Sequence, residues 1–171
     1  SNDSHPARHV PIEVAPLSEL HASLDRLLVR PFQLAQALTP HLKQRGSGKL
    51  IFITSCRTAL PQLGGAIPDM ARAGANALVR SLSIELAPFG IPVNAIAPNF
   101  LYSEAYFPKA VYEETAAGRA FIQATVPRGR LGRPDELGEL ITYLATMKGS
   151  FHTGTIIPFA GAWPVAAPRP F

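Results

Sequence analysis

Three short apolar runs constrain this chain more than any other feature: KLIFITS at 49–55, IPVNAIAP at 91–98 and GTIIPFAG at 154–161. Each is too short for a buried helix and sits among glycine, proline or serine. The first, with two isoleucines and a phenylalanine and no polar alternation, reads as a strand buried on both faces, the kind found in parallel sheets. Between the runs the apolar spacing changes to a helical period. Leu17, Leu20, Leu24, Leu27, Leu28, Leu34, Leu38 and Leu42 predict a helix over 17–45, kinked at Pro31 and ended by GSG at 46–48. Ala71, Ala75, Leu78, Leu82 and Leu86 predict a second helix from Pro68 or Asp69 to Ala87, with proline in its first turn. RPDELGELITYLAT at 133–146 predicts a third, opened by Pro134 and by acids that suit the helix dipole. The segment 99–130 is irregular with a short helix around 110–125, the position of a lid. This alternation is that of a parallel sheet with crossover helices.

A composition of 47% hydrophobic and 16% charged residues supports a compact folded unit, so residues 1–171 read as one domain ending in a proline-rich tail at 165–171. The net charge of +4 comes from scattered residues, and the densest group, Lys43, Arg45 and Lys49, falls at a helix end. No basic stripe with interleaved aromatics accompanies it, which argues against a nucleic-acid partner. The single cysteine, Cys56, excludes an internal disulfide and fits a reducing, cytoplasmic setting. Its place after a strand predicts a small buried residue rather than a nucleophile. His5, His9, His21, His41 and His152 have no metal-ligand spacing, so no metal is expected. No run reaches the roughly 18 apolar residues of a membrane helix. The polar stretch SNDSHPARHV at the start does not read as a signal peptide.

A doubly wound nucleotide-binding sheet opens with a strand and a glycine-rich turn that lets the backbone approach a pyrophosphate. None of the 13 glycines forms that turn. The expected fold is therefore the C-terminal portion of a Rossmann-like domain without its dinucleotide-binding strands, with no bound cofactor and no tight NAD(P) binding. The 49–55 strand would then lie at a hydrophobic edge, which needs covering by a partner chain, a second copy or a further N-terminal piece.

SCRTALPQLGGAIPDMARAG at 55–74, together with RPFQLAQAL, IFITS, IPVNAIAPNFLYSEAYFP, VPRGRLGRPDELGELITYLA and FAGAWP in this order, resembles the C-terminal two thirds of a short-chain dehydrogenase/reductase. Within that superfamily the chain resembles the halohydrin dehalogenases, with SND at 1–3 standing for the turn after the fourth strand. Dehydrogenases carry lysine four residues after their catalytic tyrosine and the dehalogenases carry arginine; this chain has Arg72. Pro98, Asn99, Phe100 and Leu101 match the dehalogenase loop that fills the nicotinamide pocket and cradles the leaving halide. The resemblance also implies that the helices at 17–45 and 68–87 pack between subunits, giving a homo-oligomer.

The chemistry the resemblance implies uses three groups. A serine, here Ser55, holds the substrate hydroxyl; a tyrosine takes its proton; an arginine, here Arg72, favours tyrosinate, because a free phenol has a pKa of about 10. The alkoxide then displaces the vicinal halide to form an epoxide, with no redox cofactor. The tyrosine position, thirteen residues after Ser55 and four before Arg72, is Pro68. Proline offers neither a base nor an N–H. General-base catalysis contributes about 10²–10⁴-fold, so its loss leaves little turnover. Asp69 is turned about 100° away on the helix and has Arg72 at i+3 as a surface partner. Tyr102 and Tyr106 are the nearby phenols, expected to pack in the lid. These observations favour a non-catalytic or weakly active relative that works through protein binding or oligomerisation. A dehalogenase using Ser55 and Arg72 with a substituted base is the alternative, and an NAD(P)-dependent oxidoreductase the third reading.

Overall fold

The computed structural model describes residues 9–165; SND at 1–3, His5 and the tail beyond Val165 lie outside the described residues. Its centre is a three-stranded parallel sheet in the order β1 (Leu50–Ile53), β2 (Val93–Pro98), β3 (Ile156–Phe159). Leu50 stands opposite Val93 and Ile53 opposite Ile96, while Ala95 pairs with Ile156 and Pro98 with Phe159. β2 is the buried middle strand, whereas β1 and β3 are only partly covered. Pro158 sits in β3, where a missing N–H is tolerated because β3 is an edge. The opposite edge, on β1, pairs with no strand among the described residues, so KLIFITS lies at an edge as expected.

The long N-terminal helix is two helices, α1 (Leu17–Leu24) and α2 (Arg30–Arg45), joined by a π turn at Asp25–Val29. The break falls just ahead of Pro31 rather than on it. Arg30 closes the widened turn on the Asp25 carbonyl, and Pro31 then enters the first turn of α2, where an N–H has no intrahelical partner. Gly46, at φ 65°, ends α2 by donating to the Leu42 and Lys43 carbonyls, a left-handed cap that suits glycine.

α3 (Ala66–Leu86) lies against β2. Its buried stripe is Ile67, Pro68, Ala71, Ala75, Val79, Ser83 and Leu86, which keeps Ala71, Ala75 and Leu86 of the expected face and corrects the rest: Leu78 and Leu82 flank the contact, and small residues occupy its middle. Small side chains let the helix come close, and a side chain at Gly154 would meet Ser83 Oγ at 2.8 Å. Val79, Leu86, Ile91 and Val93 are fully buried in one core with Ala35 and Leu50. Each such aliphatic side chain contributes about 1.5–3 kcal/mol by leaving water.

The segment after β2 carries α4 (Lys109–Tyr112) and α5 (Ala116–Thr125), followed by α6 (Pro134–Thr146). The Glu136 carboxylate receives the Arg133 N–H at 2.9 Å and both ends of the Arg130 guanidinium, at 2.7 and 2.9 Å. These bonds, the Arg130 one foremost, hold its pKa down to about 2 and close the start of α6 as a capping box. Among the described residues no helix is long and apolar enough to cross a membrane.

Candidate functional site at the carboxyl ends of the strands

In open parallel sheets, ligands bind beyond the carboxyl ends of the strands. Ser55 follows β1, Asn99 and Phe100 follow β2, and Ala160 to Trp163 follow β3, so all three strand ends converge on one edge. Ser55 is buried; its hydroxyl donates to the Pro98 carbonyl at 3.1 Å and accepts the Arg57 N–H at 3.2 Å. A hydroxyl has two lone pairs, so one remains to receive a substrate proton donor. The 98–101 loop is thereby tied to the serine at its first residue, Pro98. The loop is fixed on its other side too: Gly132 donates to the Phe100 carbonyl and accepts from Tyr102 N–H, both at 2.9 Å.

Phe100 is 3% exposed and adopts φ 51°, an uncommon backbone for an aromatic residue. Asn99 Oδ1 receives its N–H at 3.0 Å. Burial of the ring stabilises this conformation: Phe107 lies 5.2 Å and Trp163 5.7 Å away between centroids, and Cys56, Ile122 and Val126 complete the cluster. Cys56 is buried as expected, and burial pushes its thiol pKa up, away from nucleophilic use. On the same edge, a concavity of about 230 Å³ runs from Asn99 and Phe100 to Arg128, Arg130 and Gly161.

Arg72 lies on α3, one helical turn after Pro68, and its Nη1 donates to the Thr54 carbonyl at 3.4 Å, next to Ser55. The structure thus brings Ser55 and Arg72 together and places Pro68, buried, in the first turn of the same helix. The expected Asp69–Arg72 pair does not form. Asp69 is bound by Arg57 Nε, whose short 3-10 turn after β1 returns over the start of α3; with side chains 17% and 22% exposed, this is a partly buried pair. Gly65 leaves room for it, since a side chain there would meet the Asp69 carboxylate at 2.8 Å. A carboxylate so engaged is a poor substitute base.

Tyr106 departs furthest from expectation. Ser103 holds the turn by accepting the Tyr106 N–H on its hydroxyl and the Phe107 N–H on its carbonyl. Phe107 enters the aromatic cluster, while the Tyr106 hydroxyl is buried beside the Arg72 guanidinium, without hydrogen-bond geometry to any described group. Burial lowers the pKa of Arg72, Tyr106 pushes it back up, and Arg57 adds a smaller downward push. Tyr102 instead donates to Glu104 at 2.6 Å, and that bond raises its pKa.

Five buried side-chain polar atoms lack partners among the described residues, and four of them, Thr54 Oγ1, Arg57 Nη2, Asn76 Oδ1 and Tyr106 Oη, belong to this one neighbourhood. Asn76 also donates to the Ser55 carbonyl at 3.0 Å. Buried polar groups are ordinarily paired, so these four atoms are open to bonding by water or by a polar ligand. Sequence spacing pointed to Ser55, Arg72 and the 98–101 loop, but it missed Arg57 and Asn76. His9, His21, His41 and His152 are exposed, and no group of three potential metal ligands occurs among the described residues.

Comparison with known proteins agrees with this geometry. A family profile described as enoyl-(acyl carrier protein) reductase matches residues 6–161. Nodulation protein G of Azospirillum brasilense is 35% identical over 130 residues, 76% of this chain and 51% of that protein. The chain spans about half the length of the curated relatives it matches. A halohydrin dehalogenase bound to ethyl (2S)-oxiran-2-ylacetate superposes with a TM-score of 0.92 at 36% identity, covering 97% of this chain and 68% of that one. A gluconate 5-dehydrogenase from Burkholderia cenocepacia, in complex with NADP and tartrate, superposes at 0.82 with 26% identity, covering 94% and 62%. With its parallel sheet, its serine after β1 and its arginine on α3, the chain belongs to the short-chain dehydrogenase/reductase superfamily, in the family that the matched profile describes.

Proposed function

We propose that this chain carries the reacting end of a weakly active carbon–halogen lyase of the halohydrin dehalogenase type, converting a small vicinal haloalcohol to an epoxide and halide. The observation that carries this reading is the hydrogen bond of Ser55 to the Pro98 carbonyl, which ties the serine to the first residue of the 98–101 loop. Arg72, in place of lysine, supports it, as does the structural likeness to a dehalogenase with a bound epoxide. In this site the Ser55 hydroxyl, turned from the Pro98 carbonyl, donates to the substrate oxygen, the guanidinium offsets developing negative charge, and the apolar ring of Phe100 excludes water beside the leaving halide. Halide release from a vicinal haloalcohol, and azide opening of an epoxide, test it. Both are expected, and Ser55→Ala is expected to lower both by about 10²-fold. Equal rates in the folded variant would sink the assignment.

The non-catalytic reading is favoured by one observation, Pro68 at the position of the base. Under either reading we propose that the β1 edge is covered in the assembled protein, by a partner chain, a further strand or a second copy, and that the helices also join copies. Exposed Phe32, Leu34 and Leu38 on α2 and Ile84 on α3 support a docking role for these helices. Light scattering with intact mass is expected to report an oligomer or an additional polypeptide. A well-folded 18.3 kDa monomer would count against it.

A further inference from the structure

The proposed reaction needs a group that takes the proton of the substrate hydroxyl, and Pro68 cannot supply one. Among the described residues, one phenol lies against the arginine of this site. Tyr106 comes from the turn after the 98–101 loop, 34 positions along the chain from Arg72, and its hydroxyl is buried beside the guanidinium without a hydrogen-bond partner. The same guanidinium reaches the Thr54 carbonyl, one residue from Ser55. One planar cation therefore links the serine end of β1 to the Tyr106 phenol, and a guanidinium has enough donors in its fork to serve both. Neither side chain is left to chance. Ser103 pins the backbone of Tyr106, and the neighbouring Phe107 is anchored in the aromatic cluster against Phe100 and Tyr112, each at 5.2 Å between centroids.

The other titratable groups facing this spot do not compete for the role. Asp69 is tied to Arg57, Tyr102 donates to Glu104, and Cys56 is a buried thiol on the far side of Ser55 in sequence. Arg57 and Arg72 are the cations of the group.

Resting on the dehalogenase reading, we infer that Tyr106 is a relocated general base, carried by the lid segment instead of by α3, and acting beside Arg72 on a substrate hydroxyl held by Ser55. The proton of that hydroxyl passes to the Tyr106 oxygen. The resulting alkoxide forms the new carbon–oxygen bond of the epoxide, while the carbon–halogen bond breaks and its electron pair leaves with the halide. Tyr106 then releases its proton to solvent, so one haloalcohol gives one epoxide, one halide and one proton with no oxidant or reductant.

The experiment compares halide release from a small vicinal haloalcohol by the unaltered chain, Tyr106→Phe, Tyr102→Phe and Ser55→Ala, each across a pH series, with folding checked by circular dichroism. Tyr106→Phe keeps the ring and its packing, and is expected to lower kcat by about 10²–10⁴-fold and flatten its pH dependence, with Tyr102→Phe unchanged. If the chain releases halide, Ser55→Ala abolishes it and Tyr106→Phe does not change it, the Tyr106 assignment is wrong while the dehalogenase reading stands. If the unaltered chain releases no halide, both fall. A kcat lost equally in Tyr102→Phe would mean that the lid acts only through its packing, and would also overturn the assignment.

Discussion

Pro68→Tyr, introduced into a chain that already carries Tyr106→Phe, is expected to restore halide release by about 10²-fold or more. The expectation rests on Arg72, which stays one helical turn from position 68 on α3, and on Ser55, which the same guanidinium approaches through Thr54. Helix propensity does not oppose the change, because position 68 is in the first turn and any residue there is as compatible with α3 as proline. The site is tight, since Pro68 is buried, so the folded fraction of the variant has to be measured beside its rate. Restoration would show that the site around Ser55 and Arg72 still accepts substrate and that the phenol moved rather than disappeared. A folded double variant with no gain would show that the volume over position 68 is closed.

The second large effect concerns stability. Phe100→Ala is expected to cost about 3–5 kcal/mol, in the range for removing a buried phenylalanine, and to lower Tm by on the order of 10 °C. Phe100 combines 3% exposure, ring contacts with Phe107, Phe121 and Trp163, and a left-handed backbone that the cluster must hold in place. Alanine at φ 51° keeps the backbone strain and loses the packing that offsets it. Thermal unfolding followed by circular dichroism measures this. A shift under 2 °C would mean that the cluster is loosely packed.

The strands and helices were legible because their signals are local. Short apolar runs mark β1, β2 and β3, and leucine and alanine spacing marks α2 and α3 to within a few residues. Even there, period alone placed only part of the buried face of α3: Ala71, Ala75 and Leu86 are buried as expected, but hydrophobicity also pointed to Leu78 and Leu82, where the contact with β2 takes Val79 and Ser83 instead. Proline signalled a break near 31, while the π turn that absorbs it at 25–29 depends on backbone hydrogen bonding that no residue pattern encodes. Ser55, Arg72 and the 98–101 loop were readable because each abuts a regular element at a characteristic spacing. Arg57 with Asp69, and Arg72 with Tyr106, were not, because those meetings depend on how two irregular segments return to α3. A helix offers Asp69 a partner at i+3, yet the returning 3-10 turn brought a better placed one.

The central claim is that this strand-end site performs haloalcohol chemistry without a dinucleotide. Its most direct test is the initial rate of halide release from a small vicinal chloroalcohol, measured with no NAD(P) present, for the unaltered chain and for Ser55→Ala. The account predicts slow release accompanied by stoichiometric epoxide, reduced about 10²-fold in Ser55→Ala. Absence of release, or turnover of an alcohol only when NAD(P) is added, would contradict it.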